Sequence, residues 1–255
     1  MIFMLMENLS LESQISGLFT LLALPFLFIV SAIALKRAIR YRERSLFLFF
    51  LTVLFAFSPW WPAAFSYLYW LITSNLLNYE FNVFVGMAFA PIAILSWLDI
   101  YLTALKPKLE KPLVGTLLVF SIIFEIYLIY FLFLAPAAPV KPLLGEVNEL
   151  RTNFSGFVLI YSLIAGPLVS ILGIHFSIIS IGKKENRETQ QKGKFLLSGF
   201  TLFTLLLIFD TILPHTLIAG IIIIRIGLIF CGILLYIGFI LPKWAKKIFF
   251  QEKTE

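Results

Sequence analysis

Five ionisable side chains lie inside long apolar stretches of this sequence: Asp99, Glu125, His175, Asp210 and Arg225. In a helix surrounded by lipid, such a group costs about 2.5–3.5 kcal/mol on insertion scales. It therefore needs a partner, a water-filled cavity or a change of protonation. The chemistry open to these residues is ion pairing between helices, binding of a polar ligand, or proton transfer.

Asp210 and Arg225 fall on consecutive apolar stretches that are joined by the short turn Pro214-His215-Thr216. Asp210 lies about one helical turn before this connection, and Arg225 lies about two turns after it. A long arginine side chain can extend along its helix toward a polar partner, so we expect the two side chains to meet. Two interpretations stay open, an ion pair that clamps a helical hairpin and the polar floor of an outward-facing pocket.

The other three ionisable residues differ in depth. Glu125 lies near the middle of its stretch, where we expect a lone carboxylate to be protonated, to pair with Arg225, or to take part in proton coupling. Asp99 and His175 lie about one and a half turns from the ends of their stretches. There, headgroups or a neighbouring helix can satisfy them, and a structural role is expected.

Several catalytic chemistries are disfavoured. No lysine lies in the middle of an apolar stretch to form a Schiff base, and the HExxH, GxSxG, Walker-type and CxxC motifs are absent. His175 and His215 are expected near opposite faces of a membrane, as are Asp99 and Asp210, so neither pair predicts a metal site or an aspartyl protease. Cys231 is the single cysteine. The sequence predicts no enzyme, no cofactor and no metal.

The composition predicts that lipid surrounds these residues. The chain has 255 residues, of which 60% are hydrophobic and only 13% are charged, and its mean hydropathy is +0.98. Soluble domains carry about 25% charged residues. Seven stretches have the roughly 20 apolar residues that a membrane helix needs, which predicts an all-α, polytopic bundle of seven transmembrane helices. These spans are 15–35, 46–65, 83–105, 113–135, 156–181, 195–213 and 217–241, followed by a short basic tail at 242–255.

The basic residues predict the orientation of these spans. Seventeen Lys and Arg residues fall in alternate connecting segments, whereas the other segments hold only Lys141 and Arg151. The positive-inside rule therefore predicts an external N-terminus and a cytoplasmic C-terminus in a cell membrane. The net charge of +6 is then explained by an anionic inner leaflet, and nucleic acid is not expected as a partner. The basic segments are 36–44, 106–111, 182–194 and 242–255.

The segment 66–80 is apolar and aromatic, yet an eighth span here would place the later basic segments outside. Pro59 and Pro62 are expected to end or kink the second helix. We therefore interpret 66–80 as an interfacial segment on the outer face. Its aromatic residues and those before it predict an interfacial belt: Trp60, Trp61, Tyr67, Tyr69 and Trp70.

Two local patterns predict packing. Small residues recur every three or four positions along the fifth stretch, which predicts close approach of a neighbouring helix. In the tail, Lys243, Lys246 and Lys247 alternate with apolar residues, which is typical of an amphipathic helix on the inner leaflet. The small residues are Ser162, Gly166, Ser170, Gly173 and Ser177.

Three sequence pieces carry a family resemblance: YRERSLFLFFLTVLFAF, GMAFAPIAILSWLDIYLTAL and GILLYIGFILPKW. Together they resemble the seven-helix N-terminal sensor region of some histidine kinases. The resemblance implies a membrane sensor whose seventh helix leads into a cytoplasmic signalling domain. Here only 14 residues follow Leu241, too few for a kinase. We therefore expect a receptor-like sensor that signals through a separate cytoplasmic protein.

Two alternatives remain. The chain is similar in length and topology to sugar transporters with a three-plus-one-plus-three arrangement of helices, in which Glu125 would be the coupling group. The proline-glutamine pair of that family is missing. The third interpretation is a structural membrane subunit, in which Asp210 and Arg225 only lock helices together. The sequence sets neither the ligand nor the oligomeric state.

Overall fold

The computed structural model describes residues 9–135, 143–183, 186–213 and 217–249. Within these ranges, seven helical segments are long and apolar enough to cross a membrane, which confirms the predicted bundle of seven long helices. Lys141, the turn that contains His215, and the last residues of the tail lie outside the described ranges.

The seven spans are built from nine α-helices, some of them in two pieces. The first three spans are α1 (Leu11–Tyr41), α2 with α3 (Arg44–Ala56 and Trp61–Thr73), and α4 with α5 (Tyr79–Met87 and Ala90–Leu105). The fourth span is α6 (Pro107–Ile129), extended by a π-helical turn over Tyr130–Leu134. The last three are α7 (Gly156–Gly182), α8 (Arg187–Ile212) and α9 (Ile218–Ile240).

The breaks within the second and third spans follow proline residues. A 3₁₀ turn over Ser58–Trp60 separates α2 from α3, with Pro59 in that turn and Pro62 in the first turn of α3. Pro91 lies at the start of α5 in the same way. Proline has no amide hydrogen to donate, so it fits the first turn of a helix and interrupts one that precedes it. The expected effect of Pro59 and Pro62 is confirmed.

The prediction for residues 66–80 was wrong in most of its length. α3 continues the second span to Thr73, so these residues belong to a helix and only a short connection precedes α4. Trp60 and Trp61 are 6% and 8% exposed, because they pack against Phe203 and Phe28 inside the bundle. Both side chains therefore face the interior of the bundle, while Trp70 is half-buried against Tyr67.

The bundle centres on the last three spans. α8 packs along both α7 and α9, and α1 packs against α9 on one side and α2 on the other. The small residues of α7 face α8, as their spacing predicts: Ser170 and Ser177 are buried, and a Cβ at Gly173 would clash with the ring of Phe200. A Cβ at Gly166 would lie 3.0 Å from the side chain of Leu207.

A β-hairpin between α6 and α7 is a feature that the sequence reasoning missed. Strand β1 (Gly145–Asn148) pairs antiparallel with β2 (Arg151–Phe154), so that Gly145 lies opposite Phe154. Gly145 has a φ of 130°, a conformation that favours glycine. We call this side of the bundle the hairpin end, and the opposite side, which carries the basic segments, the basic end.

The hairpin is fastened to the bundle at its turn and its base. Leu150 at the turn is 4% exposed and packs with Tyr67. The adjacent Glu149 accepts hydrogen bonds from the amide and hydroxyl of Ser10, the N-cap of α1, at 3.3 and 2.8 Å. At the base, the Tyr79 hydroxyl donates to the carbonyl of Gly145. The hairpin therefore covers this end of the bundle.

At the basic end, the predicted amphipathic tail forms a short helix, α10 (Lys243–Phe249). Leu241 ends α9 with a φ of 44°, which turns the chain back toward the bundle. Ala245 is fully buried, and Lys246 Nζ lies 2.7 Å from Glu188 Oε2 on α8. The tail helix is therefore docked on the same helix pair that forms the centre of the bundle.

Candidate functional site

A cavity of about 380 Å³ lies beneath the hairpin. Its walls come from α1, α3, α4, α7, α8, α9 and β2, so six spans and the hairpin meet around it. Small-molecule sites in proteins have volumes of about 300–1,000 Å³ and combine apolar walls with a few polar groups. The polar lining residues are Glu12, Ser13, Ser16, Trp60, Arg151, Thr152, Asn153, Ser162, Asp210, Thr211 and Arg225.

Asp210 and Arg225 form part of the cavity lining, and they meet as their spacing predicts. Arg225 Nη1 donates to Asp210 Oδ1 at 3.1 Å. Trp60 Nε1 donates to the other carboxylate oxygen at 2.9 Å. The Arg225 side chain is 9% exposed and that of Asp210 is 31% exposed. The arginine is therefore the more deeply buried partner.

The hydrogen bonding of Arg225 is incomplete. Its Nε is buried and donates to no acceptor among the residues that the structure describes. A guanidinium carries five N–H donors in a fixed planar arrangement. A buried donor without an acceptor costs about 1–3 kcal/mol, and more when it is charged. Arg225 also forms part of the cavity lining, and a guanidinium in a cavity is suited to binding an anion.

Arg151, the first residue of β2, adds a second positive charge to the lining. Burial lowers the pKa of its guanidinium; Asp210 opposes this effect and Arg225 adds to it. Arginine keeps its charge throughout. Arg151, Asp210 and Arg225 thus lie within one another's electrostatic field, and the three carry a net charge of +1. Glu12, in the first turn of α1, is the fourth charged residue of the lining.

The cavity reaches the outer surface between α7 and α8. Leu159 and Leu163 line it and are nevertheless 42% and 62% exposed. Thr211 on α8 lines it and is also exposed. Nearer the centre of the bundle the two helices close together where Gly166 faces Leu207. The opening is therefore lateral, on a surface that a bilayer would cover.

Asp99 lies outside the cavity and has a structural environment. The residue is 7% exposed, and its carboxylate pairs with Arg44 of α2 and accepts a hydrogen bond from Thr103 at 3.1 Å. Arg44 also lies 3.4 Å from Glu110 of α6. These bonds join three spans near the basic end. They fit the expected contact with a neighbouring helix.

His175 and Glu125 also lie apart from the cavity lining. His175 Nδ1 lies 2.9 Å from the Tyr101 hydroxyl, so it bonds a neighbouring helix as expected. Glu125 Oε1 is buried and accepts no hydrogen bond from a described residue. Because Arg225 is paired with Asp210, the predicted pairing of Glu125 with Arg225 was wrong.

Sequence reasoning missed three contributors to the site. Arg151 and Glu149 were treated as part of a connecting segment, and Trp60 was placed at the membrane surface. Arg151 carried one usable signal, because it is one of only two basic residues in the segments predicted to lie outside. Trp60 carried none, because an aromatic side chain beside a proline fits a membrane surface and a bundle interior equally well.

No three His, Cys, Asp or Glu side chains in the described part of the chain are grouped so that they could hold a metal ion. The functional chemistry of the cavity is that of arginine, carboxylate, indole and hydroxyl groups. No family model, curated protein or solved structure matches this chain.

Proposed function

We propose that the protein is a seven-helix membrane sensor: a ligand binds in the cavity, and its binding is transmitted to the basic end and to a separate cytoplasmic protein. The observation that carries this proposal is that α8 reaches from the cavity to the docked tail. Asp210 near one end pairs with Arg225 in the cavity lining, and Glu188 near the other end pairs with Lys246 of the tail helix.

The two ion pairs are far apart along one rigid element. Asp210 and Glu188 are separated by 22 residues of α8, which is about 33 Å at 1.5 Å per residue. α9 runs beside α8 over this distance and leads directly into α10. A ligand that competes for Arg225 would alter the contact of α8 with α9 at the hairpin end. Such a shift between packed helices is a known form of signal transmission.

The tail helix has the features of a docking surface for a signalling partner. Trp244 and Ile248 are 50% and 61% exposed, whereas Ala245 between them is fully buried against the bundle. Lys247 is exposed on the same short helix. The concentration of basic residues at this end supports a cytoplasmic location for it and an external location for the cavity.

The cavity also weighs against the two alternatives. Glu125, the coupling group of the transporter interpretation, is not among the residues that line it. A purely structural subunit needs the ion pair but has no use for a polar cavity of about 380 Å³. A cavity with an incompletely bonded arginine favours a binding function.

Filling the cavity covalently tests this proposal without knowledge of the ligand. Cys231 is the only native cysteine and is fully buried, so a Ser162→Cys variant would present the accessible thiol. Its thiolate would displace sulfinate from an anionic methanethiosulfonate reagent and leave a sulfonate in the cavity. We expect amide hydrogen exchange in Lys243–Phe249 to change by several-fold after labelling, measured on the full-length protein in nanodiscs.

An Asn148→Cys variant provides the matched control. Asn148 is an exposed residue of the hairpin that does not line the cavity. Labelling there should leave exchange in the tail unchanged. Equal tail exchange before and after labelling at Ser162→Cys, with labelling confirmed by mass, would contradict transmission from the cavity.

A further inference from the structure

The donors in the cavity indicate the charge of its ligand. Asp210 already accepts from Arg225 through one oxygen and from Trp60 through the other. Arg225 Nε nevertheless finds no acceptor among the described residues. Arg225 is also part of the cavity lining, and its planar guanidinium matches a carboxylate or phosphate.

Arg151 places a second guanidinium over the same space. It lies on the hairpin, whereas Arg225 belongs to the bundle, and each affects the electrostatics of the other. Arg225 repels Arg151, and Asp210 attracts it. An anion between the two arginines would attract both guanidinium groups. It would also connect the hairpin to the bundle.

Glu12 is the charge that opposes an anion. It lines the cavity from the first turn of α1 and is half-buried. Asp210 and Arg225 both act on the electrostatics of Arg151. Glu12 therefore weakens the binding of an anion at the arginine pair.

The apolar lining indicates the rest of the ligand. Met87, Leu207 and Ile221 line the cavity beside the charged cluster. Leu159 and Leu163 continue this apolar surface to the lateral opening between α7 and α8, where both are exposed. A bilayer would meet this opening with acyl chains. A small water-soluble anion makes no use of such a route.

We propose that the cavity binds an amphipathic anion, whose carboxylate or phosphate group lies between Arg151 and Arg225 and whose apolar chain extends through the opening between α7 and α8. A free fatty acid and an anionic lipid share this chemistry. This inference rests on the proposed sensor function, because it names the ligand of the same cavity. Its test does not, because binding is measured without any signalling readout.

The test uses the full-length protein in nanodiscs of neutral lipid, titrated with decanoate and, separately, with decanol, decylamine and acetate. The readout is a saturable rise in the midpoint of thermal unfolding. We expect saturable binding of decanoate alone. Arg151→Gln should weaken it about tenfold or more, the loss typical of one charge-assisted hydrogen bond. Glu12→Gln should strengthen it.

Arg40→Gln is the matched control, since it removes an exposed arginine at the basic end. Arg225→Gln should abolish binding, but this variant removes the partner of Asp210 and can misfold, so Arg151→Gln decides the test.

Native mass spectrometry on protein from phosphatidylglycerol and phosphatidylcholine membranes distinguishes an anionic lipid from a free fatty acid as the ligand. Phosphatidylglycerol retained by the native chain and lost in Arg151→Gln assigns the anion to a lipid.

Three results would overturn the inference: decanol or decylamine binding as well as decanoate, acetate binding as well as decanoate, or no saturable binding of decanoate. Binding that survives unchanged in Arg151→Gln would do the same. None of these results would affect the sensor proposal, because covalent filling of the cavity at Ser162 is measured at the tail helix and does not depend on decanoate binding.

Discussion

Arg225 has an unusual balance of interactions for a residue in a transmembrane helix. Its side chain is 9% exposed, it shares one carboxylate with Trp60, and its Nε has no acceptor among the described residues. A residue selected only to clamp two helices would be better satisfied by a second acceptor. The residue nevertheless forms part of a cavity lining, where a ligand can contact its guanidinium.

The unequal burial of the pair predicts unequal effects of mutation. Asp210→Asn leaves Arg225 charged and buried, so we expect the free energy of unfolding to fall by about 3 kcal/mol. Arg225→Gln leaves Asp210 without its partner, but Asp210 is the more exposed of the two residues and stays bonded to Trp60. We therefore expect the free energy of unfolding to fall by only about 1 kcal/mol. Unfolding in sodium dodecyl sulfate, followed by tryptophan fluorescence, measures both.

The double variant Asp210→Asn/Arg225→Gln should lose less stability than the sum of the single variants, because neither charge is left alone. Strict additivity would show that the two side chains do not interact. A charge swap, Asp210→Arg/Arg225→Asp, separates the functional interpretations. Under the sensor proposal it keeps the fold and loses ligand binding, whereas a structural subunit would keep its function.

The residues of the site were predictable to different degrees. The meeting of Asp210 with Arg225 followed from the short turn between their helices and from the cost of isolated charge in lipid. The roles of Trp60 and Arg151 did not follow from spacing. Trp60 reaches Asp210 across 150 positions of the chain, and Arg151 reaches the cavity only because the hairpin folds over it.

The hairpin is the element that closes the cavity, and Glu149 is its tether to α1. The pKa of Glu149 is lowered from its usual value of 4.5, since hydrogen bonds from Ser13 and Ser10 outweigh the opposing effect of burial. A lowered pKa in the folded state means that the tether stabilises the hairpin above pH 4.5 and weakens as the pH falls through the lowered pKa.

We therefore expect hydrogen exchange of the hairpin amides, corrected for the intrinsic effect of pH, to accelerate below that pKa. Glu149→Gln should accelerate exchange at neutral pH and remove most of the pH dependence. Glu146→Gln, on an exposed residue of the same hairpin, should do neither. A pH dependence that persists in Glu149→Gln would show that another group controls the hairpin.

The contact of α7 with α8 closes the lateral opening toward the centre of the bundle. A Cβ at Gly173 would clash with Phe200, so Gly173→Ala is expected to destabilise the protein by about 1–3 kcal/mol. Gly115→Ala on α6 is the control, because nothing lies within 4 Å of a Cβ there. It should be neutral or stabilising by up to about 1 kcal/mol. Thermal unfolding of both variants measures the difference; equal midpoints would contradict this close packing.

At the scale of elements, the sequence predicted the spans better than the connections. Apolar length indicated all seven helices, because each span satisfies its own backbone within about 20 residues. The hairpin depends on contacts of Leu150 and Glu149 with α3 and with Ser10, which no local pattern contains. Residues 66–73 were misassigned because a helix that restarts after Pro59 has the same composition as an interfacial segment.

At the scale of the whole molecule, the orientation in the membrane remains a prediction of the charge distribution. Single cysteines at Asn148, on the hairpin, and at Lys108, at the basic end, should report opposite sides. On intact cells, a membrane-impermeant maleimide should label Asn148→Cys and leave Lys108→Cys unlabelled until the cells are opened. The native chain should stay unlabelled, since Cys231 is buried. The reverse pattern would place the cavity on the cytoplasmic side.

Under the sensor proposal, the cavity controls a cytoplasmic partner. The most direct measurement is affinity capture of the full-length Ser162→Cys protein from its native membrane after crosslinking, with mass spectrometry before and after the cavity is filled by the thiol reagent. We expect a near-stoichiometric soluble protein, crosslinked to 182–194 or the tail, whose captured amount changes on filling and does not change on labelling Asn148→Cys. Capture of no soluble protein, or of the same amount whether the cavity is empty or filled, would contradict it.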